Sequence, residues 1–382
     1  MRQVTHQSTK GITVKRRSFL KHSSVGVAAG ALAHSTVSNA QAVDTPEIKW
    51  RLAASWPKNL DVLWGGVELL AKRVAELTHN KFQIRAYAAG EIVPGLQVLD
   101  AVQAGTVEMG HTAGNYYIGK DIAFGLAADI PFGMNVRQKN AWWYSGGGAE
   151  SCTELFKAYG CIPLAAGNCC AQMGGWYRKE INSVADLKGL KFRIAGIAGQ
   201  VLTKLGVVPQ QLAASDIYPA LEKGSLDAAE WIGPHDDEKL GLNKVAPYYY
   251  YPSWWEGSTM LHTIINEKKW LELPPQYRAA LETACIEVNT RIVADYDAKN
   301  PAALRRLVAN GTKLKPFSKD ILQECEKIAF QLYAEFSEKS PQWKRMYPQW
   351  KKFRDEEYLW FRFAEYSFDS YTLNSKISSD NR

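Results

Sequence analysis

Twice along this 382-residue chain an alternating apolar run, a helix-period stretch and a further alternating run follow one another, and that order restricts the fold more than any single motif. The first block opens on the alternating run Ile48-Lys49-Trp50-Arg51-Leu52-Ala53-Ala54. From about Leu60 to Leu77, apolar Leu63, Val67, Leu70, Val74 and Leu77 recur every three or four residues, which predicts a helix. Phe82 to Tyr87 alternates again, Leu96 to Ala104 reads as a short helix, and Val107 to Thr112 as a third strand. Strand and helix in this order predict a parallel sheet flanked by helices.

A helical region follows over Val136 to Tyr159, interrupted at Gly146-Gly147-Gly148. After a strand-like stretch, Ile162 to Gln172, the second block begins. It has strands at Leu190 to Ala195, Val207-Val208 and Leu226 to Trp231, with helices at Ala198 to Leu205 and Ile217 to Lys223. Met260 to Asn266 reads as a strand returning to the first lobe. Beyond Pro275 the pattern is helical. Tyr277 to Val308 forms one helix or two, because Pro301 can start a helix or kink one. Asp320 to Glu338 is a further amphipathic helix. The stretch from Trp343 to Tyr371 is aromatic on several faces and needs cover, from its own lobe or from a partner subunit.

The net charge of +7 suggests nucleic acid at first sight, but it is concentrated at one end. Residues 1–42 hold six basic side chains and no acidic one; without them 40 basic residues face 39 acidic ones, so no nucleic-acid partner is expected. Within that segment Lys15-Arg16-Arg17-Ser18-Phe19-Leu20-Lys21 resembles a twin-arginine export signal. The run Val25 to Ala33 suits its apolar region, and Ala40-Gln41-Ala42 its cleavage site. A mature, periplasmic chain starting near Val43 follows, with no later apolar run near the ~18 residues of a membrane span. The six cysteines carry no zinc or redox spacing. The expectation is buried thiols, with one bridge allowed by an oxidising compartment.

An anionic solute needs a positive, forked partner, and Arg193 in Asp186-Leu187-Lys188-Gly189-Leu190-Lys191-Phe192-Arg193-Ile194 is placed at a strand end to supply one. On spacing alone, a solvated strand arginine is the commoner outcome. Glu230 and Trp231, followed by Gly233-Pro234, put a carboxylate and an indole at another strand end, where ligands of open α/β sheets bind. A buried tryptophan beside a peripheral glutamate is the plainer alternative. His235-Asp236-Asp237-Glu238 lacks any catalytic or metal spacing and reads as a polar helix start. Gln172-Met173-Gly174-Gly175-Trp176 and the aromatic run Tyr248 to Trp255, ending at Glu256, are weak signals separately.

Together, and in this order, these segments resemble the extracytoplasmic solute receptors of tripartite ATP-independent (TRAP) transporters, in the α-keto acid and lactate-type subgroup. Further markers are Trp50-Arg51-Leu52-Ala53-Ala54-Ser55-Trp56-Pro57 and Glu230-Trp231-Ile232-Gly233-Pro234, and the likeness covers nearly everything after residue 47. It implies an α/β fold of two lobes, like other periplasmic binding proteins, with an interlobe cleft and long C-terminal helices. The implied layout is a signal peptide at 1–42, lobe I at 43–167 plus 257–290, and lobe II at 168–256 plus 291–340. An aromatic C-terminal helix at 341–382 would be exchanged between the subunits of a homodimer.

The resemblance also implies the site. Arg193 clamps the carboxylate of a small 2-oxo or 2-hydroxy monocarboxylate such as pyruvate. Gln172, Glu230, the Trp231 carbonyl and Glu256 bind a metal ion that bridges to the ligand, and Tyr116 donates a hydrogen bond. The keto-acid likeness points to Na⁺. Counting charges points instead to Ca²⁺: two glutamates, one arginine and one carboxylate sum to −2, which a divalent ion neutralises. The partners implied are the TRAP membrane permease subunits. A receptor for lactate or for a longer or aromatic acid is an alternative, and so is a secreted metal-dependent enzyme acting on 2-oxo acids.

Overall fold

The computed structural model describes residues 45–375; the expected export signal lies outside them. In β1 (Ile48–Ala54) Trp50 and Leu52 turn inward and Lys49 and Arg51 outward, as alternation requires. The helix Asp61–Leu77 buries Leu63, Val67, Leu70 and Val74 against the sheet and leaves Leu77 outside. β1 lies between β2 (Phe82–Tyr87) and β3 (Met109–Ala113), parallel to both. β4 (Cys161–Asn168) completes this sheet at its edge. Its neighbour comes from much later in the chain, so the first sheet is mixed rather than parallel throughout. That strand, Met260–Asn266, inserts between β3 and β4, antiparallel to each.

The second sheet has six strands. β5 (Trp176–Tyr177), β6 (Lys191–Arg193), β7 (Val208–Gln210), β8 (Ala228–Ala229), β9 (Tyr248–Tyr251) and β11 (Lys313–Pro316) lie in the order β11-β9-β5-β8-β6-β7, with Met260–Asn266 counted as β10. The parallel trio β7, β6 and β8 is the second block read from sequence. The other three strands carry no readable period: β5 is two residues long and β9 is four consecutive tyrosines.

The chain crosses between the sheets at residues 169–175 and again at 252–259. The two crossings run side by side, with Gln172 N–H donating to the Glu256 carbonyl (3.2 Å), Ser253 N–H to the Gln172 carbonyl (3.2 Å) and Cys169 N–H to the Thr259 carbonyl (3.0 Å). Gly175 is indispensable there. Its φ is +86°, and a Cβ would sit 2.9 Å from the Ala229 carbonyl oxygen, so only glycine lets the crossing press against β8.

A third connection is one unbroken helix, Pro275–Ala309, which continues through Pro301. It packs on the Asp61–Leu77 helix and β4 on one side and on the helix Pro234–Leu240 on the other. Gly66 permits the closest approach, since a Cβ there would lie 2.5 Å from Ile292 Cδ1. Two long helices, Lys319–Lys339 and Pro341–Phe363, and a short one, Glu365–Asn374, end the described chain. Their first part is covered by the chain itself: Trp343, Met346 and Trp350 are buried. All six cysteines are buried and free, so the bridge that the compartment allowed is not formed.

Candidate functional site

Arg193 ends β6 and pairs in register with Ala229 of β8, which carries its guanidinium to the next residue, Glu230. Nη1 donates to the Glu230 carbonyl (2.7 Å) and to its Oε1 (2.5 Å), and Nε to the Leu212 carbonyl (3.1 Å). The Trp231 ring lies 5.0 Å from the guanidinium carbon. Only 1% of Arg193 is exposed, so the solvated-arginine reading is overturned. A buried guanidinium persists only when paired and hydrogen-bonded, as here. Among the described residues Nη2 has no protein partner, which leaves one arm of the fork for an anion. Glu230 Oε1 also accepts from Ala195 N–H (3.1 Å). Burial pushes the Glu230 carboxyl up to about 7 against the opposing pull of Arg193.

The crossings bring two more groups to the same place. Gln172 is buried, and its Nε2 donates to Thr259 Oγ1 (3.1 Å), while Oε1 has no hydrogen-bond partner. Glu256 is buried and takes one hydrogen bond at Oε1, from Asn115 Nδ2 (2.9 Å). Burial and the neighbouring Glu230 both raise its carboxyl well above the usual carboxylate range. The Trp231 carbonyl accepts from no donor among the described residues.

Tyr116 stands just beyond β3. Its phenol, half-buried, is held in the neutral donor form chiefly by burial, and its carbonyl accepts from Gln211 Nε2 (3.1 Å). Trp56 closes the first-sheet wall. Its Nε1 donates to His111 Nδ1 (2.7 Å), and His111 Nε2 meets the Ala166 carbonyl (2.8 Å). A carbonyl cannot donate, so His111 carries its proton on Nε2; burial lowers its pKa to about 4 and keeps it neutral. All six residues expected at the site, Tyr116, Gln172, Arg193, Glu230, Trp231 and Glu256, line one cavity with Trp56, Asn115 and Thr259. Its volume is about 20 Å³, little more than the roughly 10–15 Å³ that one water needs.

These residues fit a hard cation. Once both are ionised, two buried carboxylates face one guanidinium, a net charge of −1, and the partnerless Gln172 Oε1 and Trp231 carbonyl add two neutral oxygens, the donor set that Na⁺ and Ca²⁺ prefer. The other carboxylate grouping, Asp61, His235 and Asp236, does not fit one as well. Lys239 (3.0 Å) and Lys299 (3.2 Å) already neutralise Asp61. Asp236 and Asp237 do start a helix, but both are buried. Tyr296 donates to Asp236, and Trp176 and Tyr249 donate to Asp237.

The profile of the bacterial extracellular solute-binding proteins, family 7, matches residues 52–340. The chain belongs to this family, the solute receptors of TRAP transporters. The receptor is 48% identical over 365 residues to the monocarboxylate 2-oxoacid-binding periplasmic protein of Nostoc sp., an alignment covering 95% of this chain and all of that one. A TRAP solute-binding protein from Bordetella bronchiseptica, a dimer with calcium and picolinate in its active site, is 54% identical with a TM-score of 0.85. The match covers 86% of the receptor and 98% of that chain. Its counterpart from Pseudoalteromonas atlantica, with bound sodium and pyruvate, is 34% identical with a TM-score of 0.83, covering 85% and 99%. A third, from Colwellia psychrerythraea with calcium and pyruvate, is 32% identical with a TM-score of 0.82, covering 84% and 98%. The receptor thus has the two-lobed fold of TRAP solute receptors, its two sheets facing the cleft.

Sequence reasoning missed the inward roles of Thr259, Asn115 and Trp56. Thr259 and Asn115 lie just outside β10 and β3, where no period marks them, and Trp56 was carried only within the marker segment Trp50 to Pro57.

Proposed function

We propose that the receptor captures a small 2-oxo monocarboxylate, of the size of pyruvate, in the periplasm and delivers it to the membrane subunits of a TRAP transporter without altering it. The observation that carries this reading is the buried set Arg193, Glu230, Glu256 and Gln172 Oε1, which with both glutamates ionised carries −1 and needs a cation before it can hold an anion. Arg193 grips the carboxylate through its free Nη2. The Tyr116 phenol donates to the ligand, and Trp56 and Trp231 exclude water. Gln172, Glu230, the Trp231 carbonyl and Glu256 would hold the cation, which would supply positive charge beside the acid. The calcium- and sodium-bound relatives support a metal at this place. Cys169 lines the cavity, but burial and the neighbouring Glu256 carboxyl hold its thiol well above the usual range, so it offers no thiolate nucleophile, which favours binding over catalysis.

The closing experiment is a thermal-shift screen of organic acids on metal-stripped protein, with NaCl or CaCl₂ restored separately. A ligand at a hundred times its Kd adds about 2.7 kcal/mol of stability. Pyruvate with one of the ions should raise Tm, and labelled pyruvate should be recovered unchanged and stoichiometric with protein. Turnover would make the protein an enzyme. A second reading, a flat aromatic acid with a donor beside its carboxylate, is favoured by the picolinate in the Bordetella relative. A larger shift with picolinate than with pyruvate would select it.

A further inference from the structure

Two polar residues on the first sheet each touch one of the ion-binding side chains. In the β3–β10 pairing Leu261 lies opposite Ala113. Asn115 follows β3 in the turn Gly114–Tyr117 and Thr259 immediately precedes β10, so both stand at the same end of that strand pair. Both are buried, at 3% and 5% exposure. Thr259 Oγ1 takes the amide N–H of Gln172, and Asn115 Nδ2 takes one carboxylate oxygen of Glu256.

The consequence for Gln172 is specific. An amide presents either oxygen or N–H, and the cavity already contains the carboxylates of Glu230 and Glu256, which attract N–H. Left to itself, the amide would turn its nitrogen to those acceptors and present a donor where a cation must sit. Thr259 offers the nitrogen an acceptor on the far side, so Oε1 points inward, buried and without a partner. Asn115 acts likewise on Glu256: it occupies Oε1 and leaves Oε2 for the cavity. We infer that Thr259 and Asn115 are positioning residues for the cation site, orienting the oxygens of Gln172 and Glu256 from the first sheet. This inference rests on the ion-bridged reading of the cleft and adds to it that lobe I, which contributes no ligand oxygen of its own in that reading, sets the ion affinity.

The test is calorimetric titration of metal-stripped, full-length protein with CaCl₂ and, separately, NaCl, for the parent, Thr259→Val and Thr259→Ser. Loss of such a supporting hydrogen bond weakens metal binding about 10–100-fold. Thr259→Val should show that loss for whichever ion binds the parent, and Thr259→Ser, which keeps the hydroxyl, should stay close to the parent. Tm measured in EDTA reads the stability cost separately, since valine matches threonine in volume but leaves the buried Gln172 amide N–H without its acceptor. Thr259→Ala carries the same comparison if valine prevents folding. Equal ion affinity in parent and Thr259→Val overturns the inference and leaves the ion site standing. Equal weakening in the valine and serine variants reduces Thr259 to a packing role. A parent that binds neither ion removes the ion-bridged reading, and the inference with it.

Discussion

At the residue scale the decisive feature is a buried guanidinium that bonds its own site with two nitrogens and has no protein partner at the third among the described residues. Arg193→Ala should abolish the acid-dependent rise in Tm. It should also destabilise the unliganded protein by about 3–5 kcal/mol near pH 8, because Glu230 is then buried without its partner. Far-UV dichroism separates the two outcomes: a folded variant that still responds to pyruvate would take Arg193 out of the site. Arg193 was legible as a candidate from its place at a strand end. Its burial was not, because that depends on Leu212 and Glu230, 19 and 37 residues away. The same applies to Asp237, which reads as an ordinary helix-start acid. Burial, outweighing hydrogen bonds from Tyr249 and Trp176, raises its pKa to about 6. A raised carboxyl contributes stability that is full below its unfolded pKa, about 3.9, and lost as pH rises through the folded value. Between pH 5 and 8 that loss is on the order of 1 kcal/mol. Asp237→Asn should therefore narrow the difference between Tm at pH 5 and at pH 8; an unchanged difference would show that Asp237 titrates normally.

At the element scale, period made some elements readable and its absence hid others. The Asp61–Leu77 helix announced itself by its apolar spacing and β1 by alternation. β9 could not, since four tyrosines alternate with nothing, and the expected strand at Leu226 to Trp231 shrank to β8 because Glu230 and Trp231 turn into the cleft. The aromatic tail left two sources of cover open, and its own chain supplies cover for only part of it. Trp343, Met346 and Trp350 pack within the chain, whereas Trp360, Phe363, Tyr366, Phe368 and Tyr371 are each at least 60% exposed. An apolar face of that extent does not stand in water by itself, and the Bordetella relative is a dimer. A second copy covering this face is the reading proposed here. Light scattering at micromolar concentration should give a dimer for the parent and a monomer for the double variant Trp360→Glu, Phe363→Glu. A monomeric parent would leave the face without a homodimeric explanation.

At the scale of the whole molecule, the cation and carboxylate groups are spread over both crossings and both sheets, so a bound solute favours the arrangement that brings them together. One ion cluster outside the cavity also joins elements that belong with the two sheets. Asp61 begins a helix packed on the first sheet, and it accepts from His235 (2.7 Å) and Lys239 (3.0 Å) on the helix Pro234–Leu240, which belongs with the second. Lys299 of the long spanning helix joins them at 3.2 Å. Burial opposes the ionised form of Asp61, but these three donors outweigh it and hold its pKa low, so the carboxylate stays charged at every physiological pH. Asp61 is half exposed, and such clusters are screened by salt and contribute at most about 1 kcal/mol. That is still about a fivefold change in a two-state population. The apparent Kd scales inversely with the closed fraction. Asp61→Ala should therefore weaken pyruvate binding up to about fivefold without touching the cavity, and high salt should bring the parent towards the variant. Small-angle scattering supplies the independent reading. The unliganded variant should have a larger radius of gyration than the unliganded parent, and the two should coincide once saturated with acid and ion. Equal affinities and equal radii without ligand would mean that the Asp61 cluster is indifferent to closure, leaving the cleft contacts to set the equilibrium alone.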